Sequence, residues 1–221
     1  AVFSALMRKV YLWMTLGLVM TGLAAAYVAG NASLMQTLFS SSTSVLLLVL
    51  VELGVVFYFS ARIMHMSFAT AGVLFAVYAL LNGVTLSVIF VLYSLEGIMT
   101  TFFVTAGMFG AMSLVGYFVK RDLSAIGRFL FMALIGLIIA TVVNLFVASS
   151  ALYWGITYLG VLIFAGLTAY DTQKIKHMLM SYGTEVNDGT MKLALLGSLT
   201  LYLDFVNLFL YLLRFFGGNR N

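Results

Sequence analysis

The chain has 221 residues, of which 63% are apolar and only 8% charged, well above the roughly 45–50% apolar share of soluble domains. This marks an integral membrane protein with no room for a separate soluble domain. The absence of cysteine excludes disulfides, thiolate metal sites and a cysteine nucleophile. The formal charge of +4 sits in short loops, which points to membrane orientation rather than to nucleic acid.

A membrane-spanning helix needs about 20 mostly apolar residues, and seven such runs follow one another: Val10–Ala29, Thr43–Ala61, Phe68–Tyr93, Ile98–Val119, Phe129–Ala148, Ala151–Asp171 and Leu193–Leu213. The expected fold is all-α, one seven-helix transmembrane domain over residues 1–221. With no proline in the chain, any break within a span must rest on glycine or on a polar side chain. The chain starts at Ala1 without a methionine, so further residues are expected to precede it. The first run is too long for a signal peptide, and no convincing cleavage site follows it.

Basic residues set the expected orientation. Arg8, Lys9, Arg62, Lys120, Arg121, Arg128, Lys174, Lys176 and Lys192 fall on one side of the seven runs, leaving Arg214 and Arg220 on the other. The positive-inside rule then places the N-terminus in the cytoplasm and the C-terminus outside. Ala106 and Gly110, with Gly107 and Ala111, form a small-xxx-small pattern on the fourth run, for which packing within the chain is favoured over a dimer interface. No internal repeat supports an inverted-repeat transporter.

Once loop charges are set aside, three acids remain within or at the end of apolar runs: Glu52, Asp171 and Asp204. A carboxyl at membrane depth is costly and marks a functional site by default. Asp204 shares one helix face with Thr200, Asn207 and Tyr211. Asp171 shares one with Thr157, Phe164 and Thr168, and the third run carries Tyr78, Asn82 and Thr85 in the same manner. The Asn and Thr residues read mainly as interhelical hydrogen-bonding groups, with Asn207, Thr168 and Asn82 as polar support.

The aspartates need a proton or a partner. If the two meet they cannot both ionise cheaply, so one proton is held between them and the pair responds to pH. Carboxylates with amide and water oxygens also form the ligand set a hard cation such as Ca²⁺ accepts, making Asp171 and Asp204 candidate metal ligands. Arg62, at the same end of its run as Asp171, is the nearest basic candidate to pair with that acid. It is equally readable as a snorkelling topogenic charge. Glu52 reads either as a second ion-pathway residue or as a protonated carboxyl bonded to a neighbouring helix. Depth stands against the Asp171/Asp204 pairing: Asp204 lies about 16 Å beyond Leu193 at the helical rise, whereas Asp171 closes its run. The segment Thr172–Lys192 reads as a loop.

Other chemistries lack their residues. The two histidines, His65 and His177, read as loop residues without a metal-ligand spacing, so a zinc hydrolase has no ligand cluster and serine has no base at membrane depth. The last run holds no lysine for a Schiff base. No enzyme and no cofactor beyond a Ca²⁺ ion, permeant or bound, are expected.

The stretches Gly166–Lys176 (GLTAYDTQKIK) and Leu201–Arg214 (LYLDFVNLFLYLLR) resemble the Bax inhibitor-1 family, also called the transmembrane Bax inhibitor motif or Lifeguard family, in its bacterial branch. The seven-run layout extends the likeness over almost the whole chain. The resemblance implies seven helices with the last enclosed by the other six. It also implies a pH-sensitive calcium leak of the bacterial inner membrane, with Asp171 and Asp204 as a proton-sharing pair and Arg62 as the latch of the closed state. The segment Thr172–Lys192 departs from the bacterial members in its length. Gram-negative members are linked to a membrane-bound protease and eukaryotic ones to suppression of cell death. A non-conducting regulator of a membrane protein complex is therefore the alternative reading, and a proton-coupled transporter the third.

Overall fold

The computed structural model describes residues 1–218; Arg220, counted above among the outer charges, lies outside them. The described residues are all-helical: α1 (Val2–Ala29), α2 (Ala32–Phe39), α3 (Ser42–Arg62), α4 (Phe68–Leu86), α5 (Ile89–Leu92), α6 (Leu95–Phe118), α7 (Ser124–Val147), α8 (Ser150–Tyr182) and α9 (Asp188–Phe216), with a 3₁₀ turn at Ile63–His65 after α3. Seven helical segments are long and apolar enough to cross a membrane, one for each predicted run. Serine and asparagine side chains start several of the helices. Asn31, Ser41, Ser67 and Ser94 each accept the backbone N–H three residues on, satisfying donors that a helix start leaves free.

Several boundaries differ from the sequence reading: α1 begins at Val2 and α7 at Ser124, ahead of the predicted Val10 and Phe129, while the reversal before α8 is shifted by one residue. The third run is one spanning segment, Phe68–Leu92, with an interruption: α4 stops at Leu86, Ser87 and Val88 keep right-handed helical angles while the Ser87 hydroxyl donates to Val84 O at 2.6 Å, and the short α5 continues the span. Between α7 and α8 the reversal takes two residues. Ala148 adopts a left-handed conformation (φ 52°) and Asn144 Oδ1 accepts from Ser149 N at 2.9 Å. The segment Thr172–Lys192 is mostly helix, since α8 runs on to Tyr182 and α9 begins at Asp188. Hydropathy falls after Asp171, but Gln, Lys, Met and Leu are good helix formers, so polarity changes without ending the helix. His177 therefore lies within α8, and His65 within the 3₁₀ turn.

The chain groups into two compact units. The first comprises Ala1–Tyr93 and Met178–Tyr202. Its interior joins α1, α4 and the first half of α9: Gly17 lies against Phe75 and Tyr202, a Cβ at Gly83 would stand 2.4 Å from Thr21 O, and Ser198 Oγ donates to Val10 O at 2.9 Å. The second comprises Ser94–His177 and residues 203–218. There α6 meets α8 at Gly116, where a Cβ would lie 2.1 Å from Ala169 O, and α9 meets α8 where Tyr211 covers Gly160. Gly107 and Gly110, expected to pack within the chain, have nothing within 4 Å of a Cβ added to them. The close approach belongs to Gly116 instead.

Burial is uneven among the spans. In α9, 61% of the most apolar stretch is buried, against 11% in α3 and 6% in α7. The exposed apolar side chains of α7, such as Leu145 and Phe146, suit contact with acyl chains, where exposure of apolar groups carries no penalty.

Candidate functional site

Asp171 sits within α8 and Asp204 within α9, both in the second unit. Their carboxyl groups are close enough to act on one another. The depth objection fails because Asp171 lies well inside a 33-residue helix instead of at its end. Asp204 is 5% exposed, and its Oδ2 is buried without a hydrogen-bond partner. An ionised carboxylate offers no donor, so the facing Asp171 can satisfy that oxygen only when one of the two acids holds a proton. Two carboxylates this close in a low-dielectric interior do not both ionise without a large Coulomb cost. Beyond the pair itself, the charged group acting on Asp171 is Lys174, one turn further along α8.

The polar residues around the acids are engaged with their own helices. Thr168 Oγ1 donates to Phe164 O at 2.7 Å, Thr172 Oγ1 to Thr168 O at 2.7 Å, and Asn207 Nδ2 to Leu203 O at 2.8 Å. Thr168 and Asn207 are thus near neighbours in sequence of Asp171 and Asp204, but their donor hydrogens go to the backbone.

The remaining candidates lie in the first unit. Glu52 is one of two buried residues of α3, and the Thr85 hydroxyl of α4 donates to its Oε1. Asn82 Nδ2 donates to Tyr202 Oη at 2.9 Å, and that oxygen also meets Thr21 Oγ1 at 2.5 Å. Thr21 reaches Ala79 O as well, at 2.8 Å. Arg62 ends α3 exposed, and its side chain makes no ion pair among the described residues.

Several polar side chains of the segment that reads as a loop tie helices together. Gln173 bridges the connection between α6 and α7, accepting from Leu123 N at 2.9 Å and donating to Arg121 O at 2.8 Å. Lys176 Nζ donates to Tyr117 O at 2.7 Å near the end of α6. In the first unit Lys192, 7% exposed, donates to Met66 O at 2.9 Å and pairs with Asp188 at 3.2 Å, while Asp188 Oδ1 accepts from Phe68 N at the start of α4. Cations suit carbonyls at helix C-termini and carboxylates suit N-termini, so these residues fasten each connection to α8 or α9. The motif stretch DTQKIK therefore carries both an acid and two straps. At the other end of α9, Arg214 donates to Thr157 Oγ1 at 3.1 Å and lies 4.6 Å from the Tyr153 ring centroid. In the loop before α7, Asp122 Oδ1 accepts from the Ser124 hydroxyl and backbone, and those bonds hold its carboxyl below the usual range.

No group of three or more His, Cys, Asp or Glu residues is placed to hold a metal among the described residues. The two aspartates alone supply fewer oxygens than the roughly 6–8 that Ca²⁺ takes.

The family described as "Inhibitor of apoptosis-promoting Bax1" matches residues 4–221. The chain belongs to this family. Among curated relatives it is similar to the Inner membrane protein YbhL of Escherichia coli, 50% identical over 214 residues that span 97% of this chain and 92% of the relative. Uncharacterized proteins of Rickettsia prowazekii and Deinococcus radiodurans are 43% and 44% identical, each over 97% of this chain and 90% of their own length. The likeness expected from the two motif stretches is thus a family membership over the full seven-span chain.

Proposed function

We propose that this family member is a pH-sensitive Ca²⁺ leak of the bacterial inner membrane, gated by the proton that Asp171 and Asp204 share. The observation that carries the reading is the closeness of these two carboxyls on two helices of spanning length, with one oxygen of Asp204 lacking a partner. With a proton between them the pair is singly charged and hydrogen-bonded, which holds α8 to α9. Loss of that proton places two like charges together, a state relieved by separation of the helices or by entry of a cation. Ca²⁺ entering such a path keeps part of its water shell, since the protein offers it few oxygens. Arg62 acts in this reading as the counter-charge that favours the closed state. The N-terminus is cytoplasmic, and the chain carries out conduction and not catalysis. The inner-membrane placement is supported by the name of the Escherichia coli relative.

The test is Ca²⁺ flux in proteoliposomes of the full chain across a pH series. Flux should change with pH in the native protein, and Asp171→Asn or Asp204→Asn should remove that dependence. Unchanged flux and pH response in both variants would rule the gate out.

A further inference from the structure

The connection between α6 and α7 gathers cations from several parts of the second unit. Lys120 and Arg121 lie in the connection itself, Arg128 follows one turn into α7, and Lys176 and His177 come from the polar stretch of α8. All but Lys176 are exposed. Printed contacts bring them to one place. Lys176 Nζ donates to Tyr117 O at 2.7 Å and stands 4.8 Å from the centroid of the Tyr117 ring, three residues before Lys120. Gln173 holds both Leu123 N and Arg121 O. Arg128 and His177 both lie close enough to act on the carboxyl of Asp122.

Asp122 is the one acid within this connection, and the Ser124 hydroxyl and backbone N–H already engage its Oδ1. Among the described residues, Lys120, Arg121, Arg128 and Lys176 make no ion pair. Lys174 stands apart from them because its charge acts on Asp171. A topogenic charge needs only to be on the correct side of the membrane. These cations are also clamped to the ends of helices, so an anion that binds them loses less to ordering.

The neighbouring side chains indicate which anion fits. Phe118, two residues before Lys120, is 69% exposed, and Phe129, next to Arg128, is 64% exposed. Both lie on spanning helices, where exposed apolar groups suit acyl chains. A soluble anion would use the cations alone, whereas a phospholipid uses the cations and the phenyl rings together. Clusters of about 4–8 Lys and Arg beside a spanning helix have the composition that recognises acidic lipid.

We propose that the connection between α6 and α7, with Lys176 of α8, binds the phosphate of an anionic phospholipid whose acyl chains lie along Phe118 and Phe129. Arg121 and Arg128 supply the forked donors that suit a phosphate, and Lys120 and Lys176 supply point charge. In the orientation proposed above, this end meets the cytoplasmic leaflet. The site is independent of the proton shared by Asp171 and Asp204.

The test is native mass spectrometry of the full chain in a neutral detergent, titrated separately with phosphatidylglycerol and phosphatidylcholine. The native chain should retain phosphatidylglycerol in preference to phosphatidylcholine. The triple variant Lys120→Gln, Arg121→Gln, Arg128→Gln should bind phosphatidylglycerol about 100-fold more weakly, from roughly fivefold for each cation near an acidic lipid. Arg128→Gln alone, with a loss of roughly fivefold, carries the same test if the triple variant is polydisperse. Arg8→Gln, at a basic position of the first unit, should leave the binding unchanged. Equal retention of the two lipids by the native chain, or an undiminished preference in the variants, overturns the lipid site. Inorganic phosphate should displace the lipid no more than chloride of the same ionic strength does; stronger displacement marks a free-anion site and overturns it too. So does a native chain that binds a polyglutamate peptide and ignores phosphatidylglycerol, which would make the patch a protein-docking surface.

Discussion

The two polar clusters along α9 are built on opposite terms. In the first unit Tyr202 is fully buried, and its hydroxyl meets both Thr21 and Asn82, while Glu52 is held by Thr85. In the second unit Asp204 is also buried, yet one of its carboxyl oxygens goes unpartnered. A satisfied network fixes helices in place, because breaking any member leaves a buried group unpaired. An unsatisfied one invites a proton or a water that can leave. On the proposed mechanism the first cluster is framework and the second the working site.

The largest effect should come from closing the space beside the acids. Gly116→Ala drives a Cβ into Ala169 O at 2.1 Å, and backbone cannot swing aside as a flexible side chain could. Over-packing of this kind costs about 1–3 kcal/mol, and the expected outcome is a lower melting temperature in detergent together with an altered pH response of flux. Normal stability and an unchanged response would mean that α6 is not part of the acid site.

A smaller effect should separate the clusters. Tyr202→Phe keeps the ring that packs edge-on against Phe75 and Tyr78 but leaves the Asn82 amide without its acceptor, at a cost of about 1 kcal/mol. Thermal stability should fall while the pH dependence of flux stays native. Loss of the pH response in this variant would erase the division between framework and working site.

The smallest effect concerns the turn before α7. Asp122 is fully exposed, and its bonds to Ser124 lower its carboxyl below the usual range. The tie it makes is therefore present above the ordinary carboxylate range and is lost as pH falls through the lowered value. Hydrogen exchange at Ser124 should quicken in Asp122→Ala at neutral pH and match the native chain in strong acid. This local change should leave both clusters untouched.

Much of the architecture could be read from the chain because acyl surroundings force it: seven apolar runs of spanning length must become helices. The acids were equally visible, since Asp171 and Asp204 stand out where few charges occur. What stayed hidden depends on contacts. Lys176 and Lys192 look like topogenic loop charges until helix continuation brings them to the carbonyls of Tyr117 and Met66. The interruption of the helix at Ser87 has no proline to announce it. Tyr202 is one aromatic among many in an apolar run. Gly107 and Gly110 show the reverse failure, a small-residue pattern that α6 leaves open while Gly116 carries the contact.

The proposed gate requires that Asp171 and Asp204 hold one proton between them. Infrared titration of the native chain beside Asp204→Asn, with Ca²⁺ flux measured in the same lipid, addresses this directly. A carboxyl band whose loss tracks the change in flux, and which is altered together with that change in the variant, is the predicted result. A variant that keeps both the native band and the native flux profile would contradict it.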